Sequence, residues 1–198
     1  MFNLYLLLGI ILVSLLFYFF GVNKAKKLNL QNNKLHSLKH YYGFFALLYS
    51  LLPSLGVYFI VTIGDDILFA NMIKSYIPID IINSKDFNFT IALAQINNSV
   101  DGLIFGTPPA WVTNAANIWK SWIIKSHIIT TILCIVTSLI SGYLGHSKIN
   151  HNFRSRNAVE KIVISLLAIS SIIAILTTVG IIFSVAFESF RFFALIPI

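Results

Sequence analysis

Charged side chains are scarce in this chain. Asp, Glu, Lys and Arg make up 11% of its 198 residues, whereas 57% of the residues are hydrophobic. A soluble domain carries about 25% charged residues. The mean hydropathy of +0.83 is correspondingly high. The shortage of charge therefore excludes an ordinary soluble domain and indicates a membrane protein.

The residue sets that most enzymes need are also missing. Cys134 is the single cysteine, which excludes a disulfide framework and a cysteine-based metal site. No glycine-rich loop ends in Gly-Lys-Ser or Gly-Lys-Thr, so the chain is not expected to hydrolyse ATP itself. The apolar runs hold no carboxylate, which disfavours intramembrane proteolysis and proton-coupled transport. We expect no enzymatic activity, no cofactor and no bound metal.

What is present is a series of four long apolar runs, at about residues 2–20, 42–63, 122–145 and 162–187. The last run contains 26 residues without a single charge. As an α-helix it would be about 39 Å long, more than a hydrocarbon core of about 30 Å requires. The sequence therefore predicts an all-α polytopic membrane protein with four transmembrane helices.

The distribution of charge predicts the orientation of these helices. Lysines and arginines concentrate near residues 21–40 and 146–161, while residues 64–121 contain five aspartates and three lysines. Basic loops stay on the cytoplasmic side. This predicts a membrane protein whose N-terminus, 64–121 loop and C-terminus lie outside the cytoplasm. Because the net charge of +7 lies in short loops between spans, no nucleic-acid binding is expected.

The long 64–121 loop is predicted to be partly helical. We expect short helices from Asp65 and over about residues 84–99, with a break at Asp101-Gly102. Thr107 is a suitable N-cap before Pro108, so the third membrane helix is expected to begin there, well outside the bilayer. Large apolar residues are too few and too irregular to predict an independent core in the loop.

Two stripes of small residues are the candidate helix-packing surfaces. Small side chains let helix backbones approach closely in a bilayer. One stripe lies on the third span and the other on the fourth, and we expect them to pack together. Their members are Thr130, Cys134, Ser138, Ser141 and Gly145 on the third span, and Ser171, Ala174 and Thr178 on the fourth.

Three further features allow two interpretations each. His36 and His40 have the i,i+4 spacing of metal-binding histidines, but a basic loop attracted to anionic headgroups is the favoured interpretation. His127 is interpreted as an interfacial histidine in preference to a proton relay. Glu188 and Arg191 are interpreted as an outer interface pair in preference to an anion contact at a pore mouth.

Several segments resemble the phosphate ABC-transporter permease of the PstC type, in its long form with an N-terminal extension. They are LHSL at 35–38, YYG at 41–43, LLP at 51–53, RSRNAVEK at 154–161, IAILTTVG at 173–180 and FESFRFF at 187–193. Lys39 replaces the proline that usually follows LHSL in that family.

The resemblance implies a bacterial inner-membrane subunit of an importer for inorganic phosphate, so the outer side of the membrane would be the periplasm. Its partners would be a second permease subunit, an ATP-binding subunit and a periplasmic phosphate-binding protein. Residues 1–160 would form the extension, and residues 161–198 the first transmembrane helix of the permease domain. The family's coupling motif and phosphate-lining residues have no counterpart here, so the expectation is a truncated or split permease that does not transport alone. The alternative is a free-standing four-span scaffold or accessory protein.

Overall fold

A computed structural model describes residues 2–30, 35–83, 88–103 and 106–195. Within these ranges the regular structure is helical throughout. The elements are α1 (Phe2–Leu30), α2 (Lys39–Met72) with a 3₁₀ turn at Ile73–Tyr76, α3 (Ile79–Ile82), α4 (Phe89–Asp101), α5 (Ala110–Ser147) and α6 (Ser155–Leu195). The helices α1, α2, α5 and α6 are each long and apolar enough to cross a membrane. The predicted fold class and the four predicted spans are confirmed.

Helix α2 is the centre of the bundle. It packs against α1 on one side and against α5 on the other, while α1 and α5 also contact each other. Leu6 and Ile10 of α1, Tyr58 of α2 and Cys134 of α5 form one buried cluster between the three helices. These three helices therefore make a compact unit within the bilayer-spanning part of the chain.

The first helix continues beyond its predicted end at residue 20 and reaches Leu30. The basic segment is therefore helical where a polar linker was expected. The reason is a tertiary contact, because Ala25 is fully buried in a cluster with Tyr42, Ala46 and Ile149. The lysines of this segment consequently sit on an ordered helix.

The second helix also exceeds its prediction, since it runs through Gly64 and Asp65 to Met72 without a break. The separate short helix expected from Asp65 is wrong. Phe69, one turn beyond Asp66, packs its ring against those of Trp119 and Trp122, with centroid distances of 6.1 and 5.7 Å. This apolar contact stabilises the last turns of α2.

The loop after α2 has a buried core, contrary to the expectation. Ile73, Ile96, Val112, Ala115, Ala116 and Trp119 form a buried cluster. This core was not predicted because most of its residues belong to α5. Helix α4 buries only Ala92, Ile96 and Ser99.

The prediction for the end of α4 is confirmed, whereas the prediction for the start of α5 is wrong. Helix α4 ends at Asp101, and Gly102 follows with a left-handed φ of 76°, so the predicted break is confirmed. Helix α5 begins at Ala110 with Pro109 as its N-cap, so the start at Thr107 and Pro108 is wrong. A residue before a proline is driven into the extended region, and Pro109 therefore keeps Pro108 out of the helix.

Candidate functional site

The small-residue stripe of α5 is buried, and its partner is α2. Thr130, Cys134, Ser138, Ser141 and Gly145 are all buried. On α6, by contrast, Ser171, Ala174 and Thr178 are exposed. The two stripes therefore do not pack together, and that prediction is wrong. The physical reason is that hydroxyls of α2 already occupy the polar face of α5.

We call Ser14, Ser50, Ser54, Ser138 and Ser141 the serine cluster. The Ser50 and Ser138 hydroxyls lie 2.8 Å apart, and Ser50 Oγ also donates to the Ser138 carbonyl at 3.1 Å. Ser14 of α1 donates to the Ile10 carbonyl at 2.8 Å, and its hydroxyl lies 3.4 Å from Ser50 Oγ. The cluster therefore joins all three packed helices through hydrogen bonds inside the bundle.

The serine cluster lies next to Pro53, which is inside α2. A proline lacks an N–H, so the carbonyl four residues earlier, that of Tyr49, loses its helical donor, and the ring distorts the turn that contains Ser50. The Ser50 carbonyl accepts hydrogen bonds from Ser54 Oγ at 3.1 Å and from Ser141 Oγ at 3.5 Å. Cys134 Sγ lies 3.7 Å from the Ser54 carbonyl. The hydroxyls and the thiol thus serve helix packing, and among the described residues no carboxylate or imidazole hydrogen-bonds with them.

Glycines set the distances between the packed helices. A Cβ at Gly43 would meet Val22 and Tyr18 of α1, and one at Gly145 would lie 2.9 Å from Tyr49 Cβ. Gly142, which the sequence analysis missed, faces the ring of Phe17 so closely that a Cβ there would overlap it. Gly142 lies four residues after Ser138 on the same helix face, and this spacing could have identified it from the sequence.

One end of the bundle carries aspartates. Ser126 of α5 donates a hydrogen bond to Asp65 of α2. The ring of His127 stacks on Phe2 of α1 with centroids 3.9 Å apart. These side chains line a cavity of about 170 Å³. The histidine is therefore packed against an aromatic ring, and the contact joins the first residue of α1 to α5.

The other end of the bundle carries the cations, and we call it the basic end (residues 21–30, 35–40 and 146–161). Lys24 Nζ donates to the His146 carbonyl at 2.7 Å. Lys148 Nζ donates to Tyr49 Oη at 2.8 Å and lies 4.6 Å from the centre of that ring. These two lysines therefore donate to a helix carbonyl and to a tyrosine hydroxyl, and not to carboxylates.

The histidine pair that was the less favoured interpretation is not assembled as a metal site. His36 precedes α2, which begins at Lys39, so His36 and His40 do not share a helix face. His40 Nδ1 lies 3.0 Å from Tyr18 Oη, and a hydrogen bond between these atoms joins α2 to α1. His40 is therefore already engaged in a helix contact.

Helix α6 stands largely apart from the other helices. Ala158, Val159 and Ile162 pack against the buried cluster around Tyr42. From residue 163 to residue 194 every side chain except that of Ala186 is exposed. Glu188 and Arg191 are both exposed, and they form no salt bridge in the described part of the chain. Their role as an interface pair stays a prediction.

The bundle is that of a multi-span helical membrane protein whose buried polar groups serve helix packing. Comparison with protein families carries the identification further: residues 7–177 match the family described as phosphate ATP-binding cassette transporter. The chain belongs to this family, and the resemblance inferred from its sequence is confirmed. The matched range is consistent with an N-terminal region of the PstC type.

No curated protein and no solved structure matches the chain significantly. The family is one of transporters, so membership favours transport over catalysis. It also implies association with a membrane and with other subunits of an ATP-binding cassette system.

Proposed function

We propose that this chain is the N-terminal membrane part of the permease subunit of an importer for inorganic phosphate. The observation that carries the proposal is the family match over residues 7–177, which spans α1 to α5 and more than half of α6. The four membrane-crossing helices agree with a permease role. An ATP-binding subunit would supply the energy.

The different packing of the helices supports different roles for the two parts of the chain. Helices α1, α2 and α5 bury their polar faces against one another. We assign residues 1–160 to an N-terminal extension on this basis. The exposed α6 has apolar side chains on all sides, and in a bilayer such a helix contacts either lipid or another helix. We assign residues 161–198 to the first transmembrane helix of the permease domain.

Under this proposal the chain does not transport phosphate alone. The hydroxyls of the serine cluster donate to each other and to helix carbonyls, so they are not available to coordinate an anion during passage. The proposed partners are a second permease subunit, an ATP-binding subunit and a periplasmic phosphate-binding protein. The role proposed for this chain is anchoring and positioning of the permease core.

The proposed location is the bacterial inner membrane, with the basic end in the cytoplasm. The argument is the asymmetry of charge in the described residues. Eight lysines and arginines lie at the basic end, whereas four aspartates lie in or next to the 64–121 segment. Basic segments are retained on the cytoplasmic side during insertion. The N-terminus and the C-terminus would then both be periplasmic.

The proposal is tested by affinity purification from the membranes of the source cell. The chain carries a C-terminal tag, and the copurifying proteins are identified by mass spectrometry. We expect an ATP-binding cassette ATPase and a permease subunit in the complex. We also expect deletion of the chain to reduce ATP-dependent phosphate uptake, with recovery when the chain is expressed again.

A tagged chain from an unrelated four-span protein serves as the matched control for nonspecific capture. Purification of this chain without transporter subunits, together with unchanged phosphate uptake after its deletion, would contradict the proposal. That result would favour the alternative of a free-standing four-span scaffold.

A further inference from the structure

The basic end of the bundle contains an open cavity of about 640 Å³ between the end of α1 and the end of α5. The lining residues are Phe20, Asn23, Lys24, Lys26, Lys27 and His146. Phe20, Asn23, Lys24 and Lys27 follow the i, i+3, i+4, i+7 spacing of one helix face. Because α1 continues through this segment as a helix, the backbone positions of these residues are fixed.

The cavity is cationic and has no acid to neutralise it. Lys26 and Lys27 are exposed and form no hydrogen bond or ion pair within the described residues. The single carboxylate described at the basic end, that of Glu160, lines a different cavity, between α2 and α6. Uncompensated ammonium groups that converge on one cavity attract an anion.

One cation of the cavity is held in position by the protein. Lys24 is half-buried, and its Nζ donates to the His146 carbonyl at 2.7 Å. An ammonium group has three donors, so two remain for a ligand. The carbonyl contact fixes the Lys24 ammonium between the two helices, at the inner wall of the cavity.

The wall nearest the bilayer is apolar. Phe20 lies one turn before Lys24 on the same face, and 53% of its side chain is exposed. A cavity with a cationic rim and an aromatic wall toward the membrane suits a phosphate group. The phosphate can come with an acyl chain along the wall or as a free ion.

We propose that this cavity is a binding site for a phosphate group, which Lys24, Lys26 and Lys27 contact through charge-assisted hydrogen bonds. Lysine binds phosphate as a point charge with rotatable donors. The two sources compatible with this chemistry are the headgroup of an anionic lipid and inorganic phosphate. The site is distinct from the serine cluster, and its existence does not depend on the proposed transport function.

The test uses the full chain, purified in detergent and reconstituted into phosphatidylcholine nanodiscs. One arm titrates phosphatidylglycerol and counts bound lipids per chain by native mass spectrometry. The other arm measures equilibrium binding of radiolabelled inorganic phosphate. The cavity variant is Lys26→Gln/Lys27→Gln. Both lysine side chains are exposed, so the substitution is expected to leave folding unchanged.

The matched control variant is Arg154→Gln/Lys161→Gln. It removes the same charge from the same end of the bundle, and both side chains are exposed outside the cavity. We expect the cavity variant to lose about tenfold or more in affinity in at least one arm, because each lysine makes a direct hydrogen bond to a charged ligand that contributes about fivefold or more. We expect the control variant, whose charges do not contact the ligand and are screened by salt, to lose no more than about twofold.

The two arms identify the source of the phosphate. Selective loss in the phosphatidylglycerol arm, with a further loss from Phe20→Ala, assigns the site to a lipid headgroup. Selective loss in the inorganic phosphate arm, with no effect of Phe20→Ala, assigns it to the free ion. Equal losses in the cavity and control variants, or saturable binding of neither probe, would overturn the proposal.

Discussion

At the scale of single residues, the smallest side chains determine how closely the three packed helices approach. Gly142 of α5 faces the ring of Phe17 on α1, and a Cβ at this glycine would overlap the ring. Gly180 of α6 has no neighbouring atom within 4 Å of its hypothetical Cβ. The two positions are therefore a matched pair in which the same substitution meets opposite surroundings.

Gly142→Ala is expected to destabilise the chain by about 1–3 kcal/mol, the usual cost of overpacking a buried contact. Gly180→Ala is expected to be neutral or to stabilise by up to about 1 kcal/mol, because alanine is the better helix former. Thermal unfolding in detergent, followed by circular dichroism, measures both.

The double variant Gly142→Ala/Phe17→Leu is the control for the mechanism. It should recover part of the lost stability, since leucine is smaller than the ring that the new methyl group meets. Equal effects of the two single glycine substitutions would show that the α1–α5 contact is looser than the structure has it.

At the scale of helices, the chain divides into three that bury one another and one that does not. The serine cluster and the glycines hold α1, α2 and α5 together. Helix α6 contacts the others through its first turns and presents the rest of its length to its surroundings. The small-residue stripe at Ser171, Ala174 and Thr178 is thus free to receive a helix of another subunit.

This predicts that Ala174→Phe disrupts assembly with a permease partner without destabilising the chain. Ala174 and Leu176 lie on opposite faces of α6, and both are exposed. Leu176→Phe is therefore the matched control, expected to leave both stability and assembly intact. The measurement is the recovery of the partner subunits in the affinity purification, alongside the unfolding temperature.

A loss of assembly by more than about fivefold is the expected result for Ala174→Phe, since close approach of helix backbones requires small residues at the contact. Equal recovery with both variants would place the partner contact elsewhere on α6. A lowered unfolding temperature for Ala174→Phe would show that this face packs within the chain.

At the scale of the whole molecule, the distribution of charge gives the bundle a polarity. Lysines and arginines gather at the basic end, and the aspartates at the opposite end. Cys134, the single cysteine, is fully buried in the α2–α5 contact. Its replacement by alanine therefore gives a background in which cysteines added at the surface report orientation.

In the Cys134→Ala background, Asp101→Cys and Glu188→Cys are expected to react with a membrane-impermeant maleimide on spheroplasts whose inner membrane is intact. Asn152→Cys is expected to react only after permeabilisation, because the proposed topology places the basic end in the cytoplasm by the positive-inside rule. All three original residues are exposed, so differences in labelling report the side of the membrane. The reverse labelling pattern would invert the proposed topology.

Much of the architecture could be predicted from the sequence because long uncharged runs have few solutions in a bilayer. Residues 162–187 must be helical when they cross it, since every backbone group needs an internal partner there. The family resemblance likewise rests on short segments of sequence, which can be recognised without a structure. The α5 stripe could be proposed for a related reason, since small residues at helical spacing mark a contact face, and its five residues are buried in the structure.

The identity of the partner of each face required the tertiary structure. Small residues such as Ser138 and Ser141 mark a contact face, but the sequence does not indicate which helix packs against it. In the structure they contact Ser50 of α2. The same holds for the helix ends. Lys24 lies beyond the apolar run of α1, and that segment is helical where Ala25 is buried against Tyr42 and Lys24 donates to the His146 carbonyl.

The sequence by itself thus determined the class of protein, the number of membrane-crossing helices and the separation of charge. These follow from the cost of placing charges and unpaired backbone groups in hydrocarbon. The tertiary structure decided which helices pack together and which stands apart, and it brought the lysines of α1 next to His146. Those arrangements depend on contacts between residues distant in the sequence, such as Lys24 and His146, and such contacts leave no periodic pattern in the sequence.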